Sequence, residues 1–374
     1  MECIINMPAY RQALAEYEDR EDLRASYEKY GCSGLEIIRC DRDMEDFISP
    51  DMILGVHMIF YPVWLDFWKG NEAGLLDEFG DRMTWEGFYG GSDPGVLLKQ
   101  FSEDLEYACR VGAKYVVFHV SDVTIKGVFT HEHTHTHEEV VDAAAEIINR
   151  LLDGKDYSFD FLMENLWWPG LTMTEPAVTK RLLDSVHYPK KGIMLDLGHL
   201  MCADSGLRSE EDAIAYIHRM LDGHEALCAA AGPGEQEQPL TRFIRGVHMH
   251  QSVTGAFAEG ALEDVRKNGL RLEDDYYGRF SQVYQLLGRI DTHSPFSSPD
   301  VKGLIERIAP DYVVHELAAA DREERETVLG RQSRLLRQDD PGTELKPGSE
   351  AREPAGRKTG RGTAAGRYGH GKEG

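Results

Sequence analysis

The 374-residue chain is 41% hydrophobic and carries a formal net charge of −24 at pH 7. That size is enough for one large or two medium cores, and no run reaches the roughly 18 uninterrupted apolar residues of a membrane-spanning helix. The N-terminal segment has neither the basic nor the long apolar region of a secretory signal, so we expect a cytoplasmic protein without a membrane partner.

The acidic composition argues against nucleic acid as a partner, because that binding depends on basic side chains that displace counterions from phosphates. Residues 339–374 differ from the rest: they are rich in Gly, Arg and Lys and have no apolar periodicity. We predict a disordered C-terminal tail there and one domain over residues 1–338. The six cysteines include no CxxC pair and are typical of reduced thiols.

Short apolar runs recur along the chain, and a helical pattern follows each of them. Continuous rather than alternating apolar runs are typical of strands that are buried on both faces. The predicted strands cover residues 3–6, 34–39, 55–60, 115–120, 159–165, 192–197, 244–250 and 311–317. Eight strands that alternate with helices predict an α/β fold, a (β/α)₈ TIM barrel, with a doubly wound open sheet as the alternative.

Helix signals occupy the gaps between the predicted strands. One helix is expected to begin near Pro94 and to end at Gly112. A second is expected to begin at Thr136, which forms a capping-box pattern with Glu139, and Ser209 is a candidate N-cap of a third. The connections at 61–95, 200–242 and 251–311 are longer than a minimal barrel needs, so we expect long βα loops that cover the pocket.

Candidate functional residues lie where the predicted strands end, which is where barrel enzymes carry their active sites. The residues of metal-ligating type at or just after the ends of strands four to eight are His119, Glu164, Asp196, His199, His248, His250 and Glu316, and His57 lies within the third predicted strand. A carboxylate at the end of an apolar strand is costly to bury unless a positive charge or a hydrogen-bond donor is its partner. A shared divalent cation would supply that partner.

Some of these residues also have a simpler interpretation. Asp196 and His199, in "LDLGH", are spaced so that both can reach one point, although Asp196 could instead cap the next helix. Asp291 and His293 add a D-x-H pair in a long loop, which is a weak signal by itself. Candidate substrate-binding residues are Asn165, Trp167, Trp168, His250 and Trp64, and the tryptophans could equally be core.

The most conspicuous motif is "HEHTHTHEE" at residues 131–139, with four histidines in seven positions. It follows a predicted strand and runs directly into a capped helix. Histidine-rich tracts are a compositional signal only. We therefore interpret this stretch as a solvated loop at the pocket rim rather than as the metal site.

The strand order, with Glu164, Asp196, His248 and Glu316 ending strands five to eight, resembles the xylose-isomerase-like TIM-barrel superfamily. Its isomerase and epimerase branch implies one divalent metal, Zn, Mn or Co, on those four residues. Glu164 and Glu316, with His199, would then be catalytic. They would move a proton next to a metal-polarised carbonyl of a small sugar, sugar phosphate or cyclic polyol.

The resemblance to the endonuclease IV branch of the same superfamily extends to more positions. The residues that match its metal ligands are His57, His119, Glu164, Asp196, His199, His248, Asp291, His293 and Glu316. This implies two or three zinc ions and phosphoester hydrolysis. Two segments depart from the endonuclease IV pattern. The "FHVSD" segment lacks the Pro-Gly that the pattern has after this histidine, and the "HMHQS" segment lacks its Asn-Asp pair.

These departures and the acidic composition disfavour DNA as the substrate. We expect a metal-dependent isomerase or epimerase with a small carbohydrate substrate. A multinuclear zinc hydrolase is the alternative, and a metal-binding barrel without turnover is a third. The sequence is compatible with a homo-oligomer.

Overall fold

Eight parallel strands form a closed barrel in the computed structural model, which describes residues 1–40, 46–232 and 234–337. The strands are β1 (Glu2–Pro8), β2 (Gly34–Ile38), β3 (Ile53–His57), β4 (Tyr115–His119), β5 (Asp160–Glu164), β6 (Lys191–Asp196), β7 (Ile244–His248) and β8 (Tyr312–His315). The last strand pairs with the first, with Val314 beside Ile4. This closure confirms the predicted barrel and excludes the open sheet. The predicted tail at 339–374 lies outside the described residues.

Fifteen α-helices connect or flank the strands of the described residues. They are α1 (Arg11–Leu14), α2 (Arg20–Glu28), α3 (Leu65–Lys69), α4 (Glu72–Phe79), α5 (Arg82–Tyr89), α6 (Gly95–Val111), α7 (Ile125–Thr130), α8 (His137–Leu152), α9 (Pro176–Ser185), α10 (Leu197–Cys202), α11 (Glu210–Glu225), α12 (Gly255–Asn268), α13 (Tyr276–Ile290), α14 (Val301–Ile308) and α15 (Arg322–Arg337). A two-stranded hairpin joins Cys228–Ala229 to Gln238–Pro239. Among the described residues, none of these helices has the length and apolar character to cross a membrane.

Four predicted helix boundaries, which belong to three helices, agree with the structure. Pro94 and Gly112 cap the two ends of α6. Thr136 and Glu139 form the predicted capping box at the start of α8. Ser209 caps α11 by accepting a hydrogen bond from the backbone N–H of Asp212. Side-chain capping therefore decides where α8 and α11 begin, whereas Pro94 starts α6 without a side-chain cap.

The core has two layers, because alternate strand residues point into and out of the barrel. A small cluster that includes Tyr115, Met194 and Val314 fills the inside, and a much larger layer packs between strands and helices. At Gly55 an added Cβ would lie 2.2 Å from the ring of Tyr115. Glycine at this position thus makes room for the large aromatic side chain inside the barrel.

The long connections are largely helical and meet above the strand ends. The insertion after β3 contains α3 to α5, and the insertion after β7 contains α12 and α13. Phe79 of α4 contacts Tyr276 of α13 with ring centroids 4.4 Å apart, and Phe88 of α5 contacts Phe280 at 5.9 Å. The packing of α4 and α5 against α13 is called here the helical bridge. Because β3 and β7 are opposite each other in the barrel, the helical bridge covers part of the C-terminal face.

Candidate metal centre

Ten histidine and carboxylate side chains form three groups at the C-terminal face of the barrel. Within each group, donor atoms from all members lie within 4.8 Å of one another. Group A is His57, His119 and Glu164; group B is Glu164, Asp196, His248 and Glu316; group C is His199, His250, Asp291 and His293. All ten were predicted from the sequence as metal-ligating or substrate-binding residues.

Group A is a compact triangle of donor atoms. His57 Nε2 lies 3.1 Å from His119 Nε2 and 3.2 Å from Glu164 Oε2, and His119 Nε2 lies 3.1 Å from the same oxygen. A tetrahedral zinc ion with ligands at 2.0–2.1 Å has donor separations of about 3.3 Å. The triangle therefore fits one face of such a tetrahedron and leaves a fourth position open.

Group B shares Glu164 with group A. His248 Nδ1 lies 2.9 Å from Glu316 Oε2, 3.2 Å from Glu164 Oε1 and 3.6 Å from Asp196 Oδ2. The two oxygens of Glu164 thus face different groups, with Oε2 toward the group A histidines and Oε1 toward His248. A carboxylate in this arrangement can bridge two cations.

Group C joins the turn after β6 to the loop that follows α13. Asp291 Oδ2 lies 2.7 Å from His293 Nε2 and 3.3 Å from His199 Nε2. The ring of His250 stacks on that of His293 with centroids 4.0 Å apart. His293 has a φ of 45°, a left-handed backbone conformation that is uncommon for a residue other than glycine and is concentrated at functional sites.

Five of the six imidazoles have one ring nitrogen tied to an oxygen that can accept a hydrogen bond. The pairs are His57 Nδ1 with Met58 O at 3.0 Å, His199 Nδ1 with Asn165 O at 2.9 Å, His293 Nδ1 with Glu316 O at 3.1 Å, His248 Nε2 with Glu36 at 3.1 Å, and His250 Nε2 with Asp196 Oδ2 at 2.9 Å. Such a nitrogen carries the proton of a neutral ring, so the other nitrogen offers its lone pair. This pattern is typical of histidines that ligate metals.

Charge pairing dominates the electrostatics of the three groups. Burial opposes ionisation of Glu164, but the positive charges of His119 and His248 outweigh it and hold its pKa well below the usual range. Burial likewise opposes protonation of His293, yet the carboxylate of Asp291 raises its pKa to about 10. Divalent cations can take the place of these protons, because imidazole and carboxylate ligands bind metals in their deprotonated forms.

Asp196 combines two roles that the sequence left as alternatives. Its Oδ1 accepts a hydrogen bond of 2.6 Å from the backbone N–H of His199 and so caps α10, while Oδ2 faces His250. Asn165 holds the same strand end, because its side chain both donates to the carbonyl of Asp196 at 3.0 Å and accepts from its N–H at 2.9 Å. Asn165 therefore lies against backbone rather than among the donor atoms.

The predicted aromatic substrate walls are only partly at the centre. The half-buried ring of Trp167 lies 5.3 Å from that of His199, and the ring of the buried Trp168 packs against it in a tilted arrangement with centroids 4.2 Å apart. Trp64 is buried and donates its indole N–H to the carbonyl of Ser121 at 2.7 Å, so it packs in the protein interior.

Sequence reasoning missed two residues of the centre. Phe60 is half-buried and stacks on His119 at 4.4 Å. Glu36 of β2 is fully buried and pairs with His248, and it also accepts hydrogen bonds from Tyr115 Oη at 3.0 Å and Asn6 Nδ2 at 3.1 Å. The signal for Glu36 was present, as a single carboxylate inside the apolar run 34–39.

The histidine-rich stretch lies apart from the three groups. His131 and His133 are exposed. His135 Nε2 lies 3.3 Å from Asp66 Oδ1, and His137 Nδ1 accepts a hydrogen bond of 3.2 Å from the N–H of Gly170. Among the described residues, none of these four histidines belongs to a group of donors that could hold a metal ion.

Fold and donor sets together define a TIM barrel with a candidate metal centre at the C-terminal face. The family model of the xylose isomerase-like TIM barrel matches residues 74–326, and the chain belongs to that family. No curated protein matches the sequence.

Similar solved structures include the IolI protein with a bound zinc atom, at 14% identity and a TM-score of 0.49 over 91% of this chain and 100% of that one. Endonuclease IV from Thermus thermophilus has 13% identity and a TM-score of 0.45 over 90% and 98%. A sugar phosphate isomerase/epimerase from Parabacteroides distasonis has 12% identity and a TM-score of 0.44 over 90% and 94%.

Proposed function

We propose that this protein is a metal-dependent hydrolase of small phosphoesters, with one divalent cation in each of groups A, B and C. The observation that carries the proposal is the position of Glu164, whose two carboxylate oxygens face two separate sets of donors. Bridging carboxylates of this kind hold two cations close together, as two-metal phosphoester chemistry requires.

The number of buried donors supports several cations rather than one. A single cation in group B would be held by four residues and would leave six further donors in groups A and C without a role. Mixed imidazole and carboxylate donors suit Zn²⁺, Mn²⁺ or Co²⁺. The residues present therefore fit a multinuclear centre.

Bound divalent cations would polarise the phosphate oxygens and lower the pKa of the attacking water. The protein's own residues bind and orient the reactants. Group A has three donors and so leaves room for a substrate oxygen. Phe60 and Trp167 offer half-buried ring faces to the organic part of the ester. Glu316, 16% exposed, is the donor of group B that solvent reaches most readily.

The whole molecule favours a small substrate. A net charge of −24 opposes a polymer with many phosphates, whose binding depends on many basic contacts. The helical bridge also covers part of the face on which a long substrate would have to lie. A small phosphoester needs neither a basic surface nor an open groove.

The proposal is tested by metal analysis combined with an assay on bis(4-nitrophenyl) phosphate. We expect three ions per chain and metal-dependent release of nitrophenol. The double variant Asp291→Asn/His293→Asn should lose one ion and most of the activity. The matched control is Asp153→Asn/His187→Asn, which removes an exposed aspartate–histidine pair with a 3.3 Å contact and should change neither quantity. A fully loaded protein without phosphoesterase activity would contradict the proposal.

An isomerase or epimerase is the second candidate, because group B alone carries the two glutamates such chemistry needs. Glu164 and Glu316 both approach His248 and could act as acid and base on one substrate carbon. In that case one Mn²⁺ or Co²⁺ per chain would suffice, and the Asp291→Asn/His293→Asn variant would keep most of its activity. A ketose screen of the metal-loaded protein would detect the exchange of a carbon-bound proton.

A further inference from the structure

Helix α15 has a polar side chain on the face that packs against the ends of β7 and β8. Gln332 is fully buried there, and Leu329 and Ser333 of the same helix are buried beside it. A buried amide is costly unless its donors and its acceptor are paired. Gln332 also lies outside residues 74–326, which the family model matches. Its role is therefore defined by the partners that it has in this chain.

Both amide protons and the oxygen of Gln332 are used. Its Nε2 lies 2.7 Å from the carbonyl oxygen of Met249 and 2.8 Å from His315 Nδ1, and its Oε1 accepts a hydrogen bond of 2.8 Å from the N–H of Phe296. These partners fix the orientation of the amide, because the Met249 carbonyl can only accept and the Phe296 N–H can only donate. Nε2 therefore donates one proton to Met249 and the other to His315.

The three partners of Gln332 are close neighbours in the chain of donors in groups B and C. Successive residues at a strand end point to opposite sides of the sheet, so Gln332 holds the outer side of strand ends whose inner side carries donors. Group A instead includes the ends of β3 and β4, which lie opposite β7 and β8 in the barrel. The donors concerned are His248 and His250 beside Met249, Glu316 beside His315, and His293 three residues before Phe296.

We propose that Gln332 is a positioning residue, which holds the end of β7, the end of β8 and the loop after α13 at the spacing that groups B and C require. Donors of these groups meet across the same segments. Glu316 Oε2 of the β8 end lies 2.9 Å from His248 Nδ1 of the β7 end, and the ring of His293 in the loop stacks on that of His250 at 4.0 Å.

Small errors in this spacing matter, because a set of ligands has to be held within about 0.5 Å of its productive geometry. Three hydrogen bonds to one buried amide restrict all three segments at once. The inference rests on the proposed function only in that groups B and C hold cations, and it does not depend on which reaction follows.

The test measures the affinities of the full chain for Zn²⁺ by competition with chromogenic chelators of graded strength. Gln332→Met keeps the length and approximate volume of the side chain but loses all three hydrogen bonds. We expect it to weaken the binding of two of the three ions about tenfold or more and to leave the third unchanged. Adding His119→Asn should weaken that third ion as well, which assigns it to group A.

Thr179→Val is the matched control, because it removes a buried hydrogen bond of 2.9 Å between Thr179 of α9 and His224, outside the three groups. It should keep all three affinities, even if denaturant titrations show a similar loss of stability. Gln332→Asn is a second variant, which keeps a buried amide but is one methylene shorter. It should weaken the same two ions, and it serves as the test if Gln332→Met does not fold.

The possible outcomes separate the positioning role from the proposed function. Unchanged affinities in the Gln332 variants, or an equal weakening of all three ions, would overturn the inference whether or not phosphoesters are hydrolysed. Selective weakening of two ions, in a protein whose wild type hydrolyses no phosphoester, would support the positioning role and contradict the proposed function.

Discussion

Glu36 is a buried carboxylate that orients a donor of group B without belonging to the group. An isolated carboxylate inside the barrel would be costly, but this one is paired with His248 and accepts hydrogen bonds from Tyr115 and Asn6. Because it binds Nε2 of His248, it turns Nδ1 toward Glu164 and Glu316 in group B. Glu36 is thus a positioning residue.

We predict that Glu36→Gln lowers the affinity of group B for Zn²⁺ about 10–100-fold, the usual cost of losing a partner that orients a histidine ligand. An amide is a weaker acceptor for the Nε2–H of His248 than a carboxylate is. Competition with a chromogenic chelator measures the affinity.

Tyr115→Phe is the control for Glu36→Gln, since it removes one hydrogen bond of Glu36 without touching His248. It should leave the affinity close to that of the wild type. Equal affinities for Glu36→Gln and the wild type would show that this carboxylate does not orient the ligand.

At the scale of elements, the strand ends carry the metal donors, whereas the helix start at 136–139 carries residues that cap the helix. The donors of groups A and B come from the ends of β3 to β8 or the position that follows, where parallel strands converge. The stretch at 131–139 instead leads into α8, and its backbone is occupied by the capping box of Thr136 and Glu139. Histidine density along the chain therefore does not identify the metal centre.

We expect His131→Asn/His133→Asn to leave the metal content unchanged, because both side chains are exposed and belong to none of the three groups. Mass-spectrometric metal analysis checks this, with Glu164→Gln as the comparison that should lose ions from groups A and B. Loss of an ion from the loop variant would place a ligand in the stretch.

At the scale of the whole molecule, the helical bridge joins insertions from opposite sides of the barrel. Glu78 of α4 lies where three elements meet, since its carboxylate accepts from the N–H of Ile125 in α7 at 3.1 Å and Arg279 of α13 donates to its carbonyl at 3.2 Å. Burial raises the pKa of Glu78 to about 7, against the opposing charge of Arg279 and with Asp122 and Asp77 adding to the rise.

This raised pKa predicts a pH-dependent stability. The folded protein keeps a proton on Glu78 that the unfolded chain has lost, so its stabilising contribution is complete below about pH 4.5 and is lost as the pH rises to about 7. The variant Glu78→Gln lacks this dependence. The free energy of unfolding of the variant minus that of the wild type should therefore increase by about 3 kcal/mol between pH 4.5 and pH 7. Burial, with the nearby charge of Glu78, raises the pKa of Tyr276 well above its usual range, so this hydroxyl stays neutral throughout.

Denaturant titrations of wild type and Glu78→Gln at several pH values measure the difference. Glu72→Gln, which changes an exposed glutamate of α4, is the control and should show no such trend. A constant difference between wild type and Glu78→Gln from pH 4.5 to 7 would contradict the prediction.

Local sequence patterns determined the strands, several helix boundaries and the donors that close the strands, because apolar periodicity and capping act over a few residues. The domain boundary at 338 stays a prediction. Only the tertiary structure decided that ten donors divide into three groups, that Glu164 faces two of them, and that Glu36 lies beneath His248. Those relations join strands far apart in the chain, and their distances depend on barrel closure and register, which no local pattern contains.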